Sequence, residues 1–334
     1  MAVKSPFVAI VIPTIAREYV STTLPKMVTN ISASAKKLGV RPLFIIEDSS
    51  SLGLGREVVS AMRASGEQVQ IVPAKGRGSG EAWDHGFMLG AKRGAACLIG
   101  YCDDFVAESK QFAAVAKPLL EGKADFVTGA WKEHGRNVLS FPKSQYLNEV
   151  WVSRLMNYAN PHFDSKSFTR NPFLKNPSRF QAFVGIYGAT PKADAQIADF
   201  MEKTFRNSSA DVRAKIHQWG IDPVRVLAAL ALNLRTSNVV ISARRFEHAN
   251  PTNRGMERFV NSRLAQYNGA VDSIREFLVR TNQVHKLGEF NRMAGIISTR
   301  INNFKSSRAA LVNKAGKRRV ILARLKSMRA SKRR

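Results

Sequence analysis

The chain has 334 residues, 44% of them hydrophobic, which suits two domains or one large domain with an appendage. Two cysteines exclude a small secreted scaffold held by disulfides. No apolar run approaches the roughly 20 residues of a membrane-spanning helix. The longest, Val224–Leu234, is short and contains Arg225. With no signal peptide visible, we expect a cytoplasmic globular protein.

Positive charge is concentrated towards the C-terminal end of the chain. Overall, 52 Lys and Arg face 25 Asp and Glu, for a net charge of +27. Residues 1–150 carry 18 basic and 14 acidic side chains, residues 151–250 carry 14 and 7, and residues 251–334 carry 20 and 4. This distribution predicts an ordinary soluble first part and a last part that binds a polyanion, either nucleic acid or an anionic membrane surface.

Strand and helix patterns alternate over the first 131 residues. Pro6–Pro13 is a short β-branched apolar run typical of a buried strand, and Arg17–Leu38 has helical spacing. The alternation continues with strands at Leu43–Glu47, Val69–Val72, Ala96–Gly100 and Asp125–Ala130, and with helices at Gly55–Ala64, Gly80–Arg93 and Ser109–Leu120. This order predicts an α/β fold, a mostly parallel twisted sheet with helices on both faces.

Polar side chains follow four of these strands, where ligands of parallel sheets bind. They include Thr14, Asp48, the basic turn Lys75–Gly80 and the pair Asp103–Asp104. Four such ends in succession favour a site for a nucleotide diphosphate. Adjacent carboxylates suit Mg²⁺ or Mn²⁺, although the residues alone leave a helix N-cap or a solvated turn open.

The segments VAIVIPTIAR, EDSS, KGRGSG and YCDD, in this order and spacing, resemble the nucleotide-binding half of GT-A glycosyltransferases. The resemblance covers about residues 7–131 and extends more weakly through 182–251. It implies a Rossmann-like GT-A fold and a nucleotide-sugar donor, with UDP-sugars favoured. It also implies an Asp-x-Asp-type motif holding Mn²⁺ or Mg²⁺. Here that motif reads Cys102-Asp103-Asp104, so Asp103 has to take over part of the first aspartate's role.

The same resemblance assigns donor-binding roles to seven residues: Thr14, Arg17, Asp48, Lys75, Arg77, Asp84 and Asp103. The first two would contact the nucleoside, the third the base or ribose, and Asp84 the donor sugar. From the residues alone, Lys75 and Arg77 also fit a solvated basic turn. A dinucleotide-binding fingerprint at Gly76–Gly80 fits less well, because GxGxG follows the third strand rather than the first.

The middle of the chain supplies the predicted catalytic group. After a strand at Phe183–Thr190 and a helix at Pro191–Phe205 comes Trp219-Gly220-Ile221-Asp222, which resembles a WGID-type motif of some GT-A enzymes. Asp222 either caps a helix or acts as the general base that deprotonates the acceptor. A strand at Val239–Ala243 then leads to His248. The resemblance implies that His248 and Asp104 ligate the metal, whereas a lone histidine is more often structural.

Two basic segments are candidates for nucleic-acid binding. The predicted loop 159–181 interleaves phenylalanines with Lys166, Arg170, Lys175 and Arg179, which suits bases and phosphates. Its phenylalanines also fit a loop anchored to the core. From about Arg258 the pattern is helical, and residues 300–334 contain 13 Lys or Arg and no acid, including Lys317, Arg318 and Arg319. A solvated tail and attachment to an anionic membrane are the alternatives.

Together these features predict a nucleotide-sugar-binding half at 1–131, an acceptor-binding and catalytic half at 132–255, and a basic helical extension at 256–334. The expected activity is metal-dependent transfer of a sugar to a hydroxymethylated pyrimidine in DNA, as in phage DNA-modifying and base J glucosyltransferases. One alternative is a peripheral-membrane glycosyltransferase acting on a lipid phosphate. The other is a non-catalytic nucleic-acid-binding protein, which would leave the carboxylates and His248 without a shared purpose.

Overall fold

The computed structural model describes residues 5–14, 20–50, 53–64, 66–74, 79–102, 109–131, 152–162, 180, 182, 185–241 and 253–299. Within them, one sheet contains seven strands: β1 (Phe7–Thr14), β2 (Arg41–Asp48), β3 (Gln68–Pro73), β4 (Cys97–Tyr101), β5 (Phe126–Trp131), β6 (Ile186–Ala189) and β7 (Thr236–Ile241). Their spatial order is β3-β2-β1-β4-β6-β5-β7, and only β6 runs antiparallel to its neighbours in this sheet. The predicted α/β fold with a mostly parallel sheet is therefore confirmed.

Ten α-helices accompany the sheet in the described residues: α1 (Val20–Lys37), α2 (Arg56–Arg63), α3 (Ser79–Lys92), α4 (Ser109–Leu120), α5 (152–159), α6 (Pro191–Phe205), α7 (Ala210–Lys215), α8 (Ile221–Ala231), α9 (Asn253–Arg280) and α10 (287–299). A π-helical turn, Ile216–Gly220, joins α7 to α8. The predicted helical C-terminal region is present. None of the described helices is long and apolar enough to cross a membrane.

The chain forms two compact units, Met1–Phe290 and Asn291–Arg334. The sheet lies in the first. One sheet face, which includes Ile10, Phe44 and Ile99, packs with α1, α2 and α4 into a continuous buried apolar cluster. This core follows from the alternation of side chains along each strand, because residues two apart share a face. Helix α3 packs against the opposite face of the strands, and it begins near the carboxyl edge of the sheet.

Helix α3 lies close against β1 because it presents glycines to the strand. A Cβ at Gly86 would overlap Val11 Cγ1, and a Cβ at Gly90 would lie 2.5 Å from Ala9 Cβ. The two glycines are four residues apart, so they share one face of the helix. This close approach fixes the height of α3 above the sheet, and with it the position of Asp84.

We expect Gly86→Ala to destabilise the protein by roughly 1–3 kcal/mol, because the added methyl forces helix and strand apart. Urea unfolding measures the change. The matched control is Gly288→Ala, since Gly288 is also helical but no atom would lie within 4 Å of its Cβ. That variant should be as stable as wild type or slightly more so. Equal stability of Gly86→Ala and wild type would contradict the close packing.

Candidate active site

The carboxyl ends of the first three strands meet at one edge of the sheet. Thr14, the last residue of β1, is paired in register with Asp48, the last residue of β2. The carbonyl of Thr14 accepts a hydrogen bond from Ser49 N at 2.8 Å, and that of Asp48 accepts one from Ala74 N at 3.0 Å. Thr14 and Asp48 are therefore brought together, and Ala74 lies beside them just after β3.

The carboxylate of Asp48 shapes the loop that follows β2. Its Oδ1 accepts a hydrogen bond from Ser50 N at 2.9 Å, and its Oδ2 accepts one from Leu54 N at 2.8 Å. Each oxygen retains lone-pair capacity for another donor. Asp48 thus has a definite structural role, and its predicted contact with the nucleoside stays a prediction.

The fourth strand end leads towards the predicted carboxylate pair. Cys102 N donates a hydrogen bond to the carbonyl of Gly185 at 2.8 Å, which extends the pairing of β4 with β6 by one residue.

Several predicted site residues lie outside the described part of the chain: Arg17, Lys75, Arg77, Asp103, Asp104, Lys166, Arg170, Lys175, Arg179, His248, Lys317, Arg318 and Arg319. Their predicted roles stay predictions.

Among the described residues, no group of three His, Cys, Asp or Glu side chains is placed to hold a metal ion. The predicted ligands Asp104 and His248 follow β4 and β7, in segments that the structure does not describe. The metal centre therefore stays a prediction.

The start of α3 is locked against the π-helical turn. A Cβ at Gly80 would overlap the carbonyl oxygen of His217 and would lie 2.9 Å from Ile221 Cβ. On its other side the turn meets α9, because a Cβ at Gly220 would overlap Ser273 Oγ. The glycines at positions 80 and 220 thus allow a close three-way contact, which brings His217 and Asp222 beside the first turns of α3.

Asp222 is not a helix cap. The residues from Ala210 to Ala231 are helical throughout, through α7, the π-helical turn and α8. Gly220 occupies the position before α8 with φ −92° and ψ −9°, and no side chain caps the helix there. Of the two alternatives for Asp222, the helix cap is therefore wrong. Asp222 lies in the first turn of α8, so its carboxylate does not cap the helix.

The Oδ1 atom of the Asp222 carboxyl group is buried, although the residue as a whole is partly exposed. Its Oδ1 has no hydrogen-bond partner among the described residues. Burial raises the pKa of Asp222 to about 7, while the positive charge of Arg225 opposes the rise. A carboxylate with this pKa exchanges its proton near neutral pH, which suits a general base. An unpartnered buried carboxylate beside strand ends is also typical of a group that meets a ligand.

Arg225 ties three helices together beneath this carboxylate. Its Nη1 donates to Asp84 Oδ1 on α3, and its Nη2 donates to Asp194 Oδ1 on α6. The Arg225 side chain is 1% exposed, that of Asp194 is 12% exposed and that of Asp84 is 35% exposed. Asp84 is thus the most exposed member of this cluster, and its predicted contact with the donor sugar stays a prediction.

Aromatic rings complete the surroundings of the guanidinium group. The Arg225 Cζ lies 5.3 Å from the ring centroid of Phe87 and 5.2 Å from that of Tyr187. Trp83 meets the Tyr187 ring edge to face at 4.9 Å. Burial would oppose the charge of Arg225, but Tyr187, Asp194 and Asp84 outweigh it and raise the pKa of Arg225. The guanidinium group is therefore a fixed positive charge behind Asp222 and Asp84.

A second buried carboxylate pairs with the histidine next to Asp84. Glu47, fully buried in β2, lies 2.9 Å (Oε1) and 3.2 Å (Oε2) from His85 Nδ1. This contact fastens α3 to β2 on the sheet face opposite the main apolar cluster. It holds the first turns of α3 in place, and Asp84 with them.

Sequence reasoning missed Arg225, Asp194, Tyr187 and His217 as parts of this site. Arg225 carried a usable signal, because a lone arginine in an apolar helix has to find a buried anionic partner. His217 stood two residues before the WGID-type motif. No signal identified Asp194 or Tyr187, since their roles depend on how α6 and β6 pack.

No protein-family model matches the sequence, and no curated protein matches it. Among solved structures, the chain is similar to mannosyl-3-phosphoglycerate synthase from Rubrobacter xylanophilus, with 13% identity and a TM-score of 0.50 over 84% of this chain and 75% of that one. A mannosyltransferase from Pyrobaculum calidifontis, in complex with GDP-Man and Mn²⁺, matches with 12% identity and a TM-score of 0.47 over 92% and 76%. At this identity the first likeness shows a shared fold.

Proposed function

We propose that the chain is a glycosyltransferase that moves a sugar from a nucleoside-diphosphate sugar to a hydroxyl acceptor. The observation that carries this proposal is the buried Oδ1 of Asp222, which has no hydrogen-bond partner among the described residues and belongs to a carboxyl group with a raised pKa. Asp222 and Asp84 both lie near Arg225, in a fold that is shared with mannosyl-3-phosphoglycerate synthase. The donor nucleotide would lie over Thr14 and Asp48, with its sugar towards Asp84.

The proposed chemistry needs one proton acceptor. The acceptor oxygen bonds to the anomeric carbon of the donor while the bond from that carbon to the diphosphate oxygen breaks. The hydroxyl proton passes to Asp222, and the nucleoside diphosphate leaves as an anion. Because the pKa of Asp222 is about 7, its carboxylate can take the proton at neutral pH and return it to solvent afterwards.

We place Mn²⁺ or Mg²⁺ at Asp104 and His248, with Asp103 beside the donor. A divalent cation bound there would neutralise negative charge on the leaving diphosphate. Lys75 and Arg77 would add positive charge on the same side. These assignments rest on the resemblance of the YCDD and late-strand segments to GT-A enzymes.

For the acceptor we propose DNA that carries a hydroxymethylated pyrimidine. The support is the concentration of charge, with 20 basic and 4 acidic residues over 251–334, together with the aromatic and basic residues of 159–181. DNA presents a dense row of phosphates to such a surface, and an enzyme that acts on a base has to extrude it from the stack. A plain base offers no suitable hydroxyl, so the acceptor would be a hydroxymethyl group.

The test mixes the protein with a panel of UDP- and GDP-sugars, Mn²⁺, and DNA containing hydroxymethylcytosine, hydroxymethyluracil or neither. Nucleoside diphosphate release is measured, and the digested nucleosides are weighed by mass spectrometry. We expect release of nucleoside diphosphate and a hexose- or pentose-sized mass gain on one modified base. Both should disappear when EDTA replaces Mn²⁺.

Each other outcome assigns a different function. Nucleoside diphosphate release without a change in the DNA would keep the transferase and reject DNA as the acceptor, and a lipid phosphate would be tested next. Salt-dependent DNA binding without any release would favour a non-catalytic nucleic-acid-binding protein. Full activity in EDTA would reject the metal site.

The proposed contact of the tail with DNA predicts a change in salt dependence. Replacing Lys317, Arg318 and Arg319 with glutamine should weaken DNA binding. The slope of log K against log salt should fall by up to about 3, because each phosphate contact contributes about 0.9 to the slope. Fluorescence anisotropy with a labelled duplex between about 50 and 200 mM salt measures both quantities.

The control removes the same charge elsewhere, at Lys117, Lys123 and Lys203, which are all exposed. That variant should bind with nearly the wild-type slope. An equal loss in both variants would mean that net charge alone attracts DNA. An unchanged slope in the tail variant would remove the tail from the contact.

A further inference from the structure

We propose that His217 and Asp222 together hold one substrate hydroxyl, with His217 as a further substrate-binding residue. This rests on the proposed function and deepens it. His217 Nδ1 and Asp222 Oδ1 are both buried, and neither has a hydrogen-bond partner among the described residues. Two unpartnered buried polar atoms within six residues of one helical segment are a rare and costly arrangement.

We infer from the π-helical turn that these two side chains face the same side. His217 lies within the turn and Asp222 just after it, five residues further on. In a regular α-helix, side chains four apart face each other across one turn. A π-helical turn adds one residue, so positions five apart take that relation here. Such turns recur at functional sites for this reason: they redirect one side chain without ending the helix.

Packing on both sides holds the turn in this form. The carbonyl of His217 lies against Gly80 at the start of α3, and Gly220 lies against Ser273 of α9. The imidazole also lies within electrostatic range of Asp84, and Tyr187 within range of both Asp84 and Asp222. His217 therefore belongs to the same group of side chains as the proposed base.

A hydroxyl group satisfies both orphan atoms at once. A neutral imidazole that carries its proton on Nδ1 donates to the hydroxyl oxygen, and the hydroxyl donates its own proton to Asp222 Oδ1. This arrangement aims an oxygen lone pair away from the protein and directs the hydroxyl proton to the base. We assign the held group as the acceptor hydroxyl, because it is the group that has to lose a proton.

Two substitutions separate hydrogen bonding from bulk. His217→Asn places an amide N–H close to where Nδ1 lies, whereas His217→Gln places it near Nε2. We expect the asparagine variant to keep kcat within about threefold, and the glutamine variant to lose roughly 10- to 100-fold, since a small misplacement of a reacting group is costly. KM for the donor should be unchanged in both. His285→Gln, an exposed histidine, is the control and should behave as wild type.

A second measurement tests the pairing without any activity. Asp222→His should form a two-histidine Zn²⁺ site with His217, and Zn²⁺ should raise the melting temperature of this variant beyond the rise in wild type. Adding His217→Asn should remove that extra rise. The absence of an extra rise would overturn the pairing, and so the proposal.

The remaining outcomes distinguish His217 from the function as a whole. An active wild type with equally active glutamine and asparagine variants would overturn the role of His217 and keep the transferase. Equal losses in both variants with lowered melting temperatures would make His217 structural. A wild type that releases no nucleoside diphosphate would overturn the proposed function, and with it the held hydroxyl, whatever Zn²⁺ shows about the pairing.

Discussion

Asp222→Asn is expected to lower kcat by roughly 10²- to 10⁴-fold, the usual contribution of a general base. The amide matches the carboxylate in shape but cannot accept the acceptor's proton. KM for the donor should change little, because the proposed site of the donor nucleotide is at Thr14 and Asp48. Initial rates of nucleoside diphosphate release, with donor and acceptor varied separately, measure both constants.

The proposed base defines the direction in which kcat changes with pH. Only the ionised carboxylate accepts a proton, and the pKa of Asp222 is about 7. The wild-type kcat should therefore rise with pH through about 7 and level off above it, while the residual activity of Asp222→Asn lacks this rise. Asp199→Asn, which removes an exposed carboxylate on α6, should keep both the rate and the profile. A variant at position 222 that retained most of its kcat would contradict the base assignment.

Measurements of stability distinguish the loss of the general base in Asp222→Asn from misfolding of the variant. Because folding raises the pKa of Asp222 above its ordinary value of 3.8, the resulting stability is present below pH 3.8 and is lost as pH rises through about 7. The asparagine variant has no charge to bury. Its urea midpoint should equal or exceed that of wild type at pH 8, so its loss of activity would not come from unfolding.

The sequence predicted the fold well, because apolar runs and helical spacing report local structure directly. It placed the sixth strand at Phe183–Thr190, where the structure has Ile186–Ala189. It placed the seventh at Val239–Ala243, where the structure has Thr236–Ile241. The reversed direction of β6 was beyond sequence reasoning, because an apolar run has the same pattern in a parallel and an antiparallel strand.

The candidate site was predictable only in part. Motif order selected Thr14, Asp48, Asp84 and Asp222 as candidates. In the structure the first two are paired at the sheet edge, and the other two both lie near Arg225. The π-helical turn has no compositional signature, since hydrogen bonds five residues apart use the same residue types as those four apart. The capping interpretation of Asp222 was therefore open from sequence and wrong in the structure.

Arg225→Met is expected to destabilise the protein by roughly 3–5 kcal/mol, because it leaves two buried or half-buried carboxylates without their partner. The contacts span 141 residues to Asp84 and 31 residues to Asp194, so the substitution separates α3, α6 and α8 at once. Methionine should fill most of the volume of the arginine side chain and contact Phe87 and Tyr187. The loss of stability would therefore come from the missing positive charge and not from a cavity. Urea unfolding at pH 7 measures it.

Arg235→Met is the matched control. Arg235 also makes paired hydrogen bonds to one carboxylate, that of Asp125, at 2.9 and 2.7 Å, but its side chain is 61% exposed. Solvent replaces such a contact at little cost, so the urea midpoint should hardly move. Equal losses in the two variants would contradict the burial argument.

A third variant completes the argument, because Arg225→Met combined with Asp84→Asn and Asp194→Asn removes the stranded charges. If desolvated carboxylates cause the loss, the triple variant should regain most of the stability. It should nevertheless stay inactive, since it lacks the Asp84 carboxylate that we propose faces the donor sugar. Recovery of stability together with activity would place the Arg225 cluster outside the site.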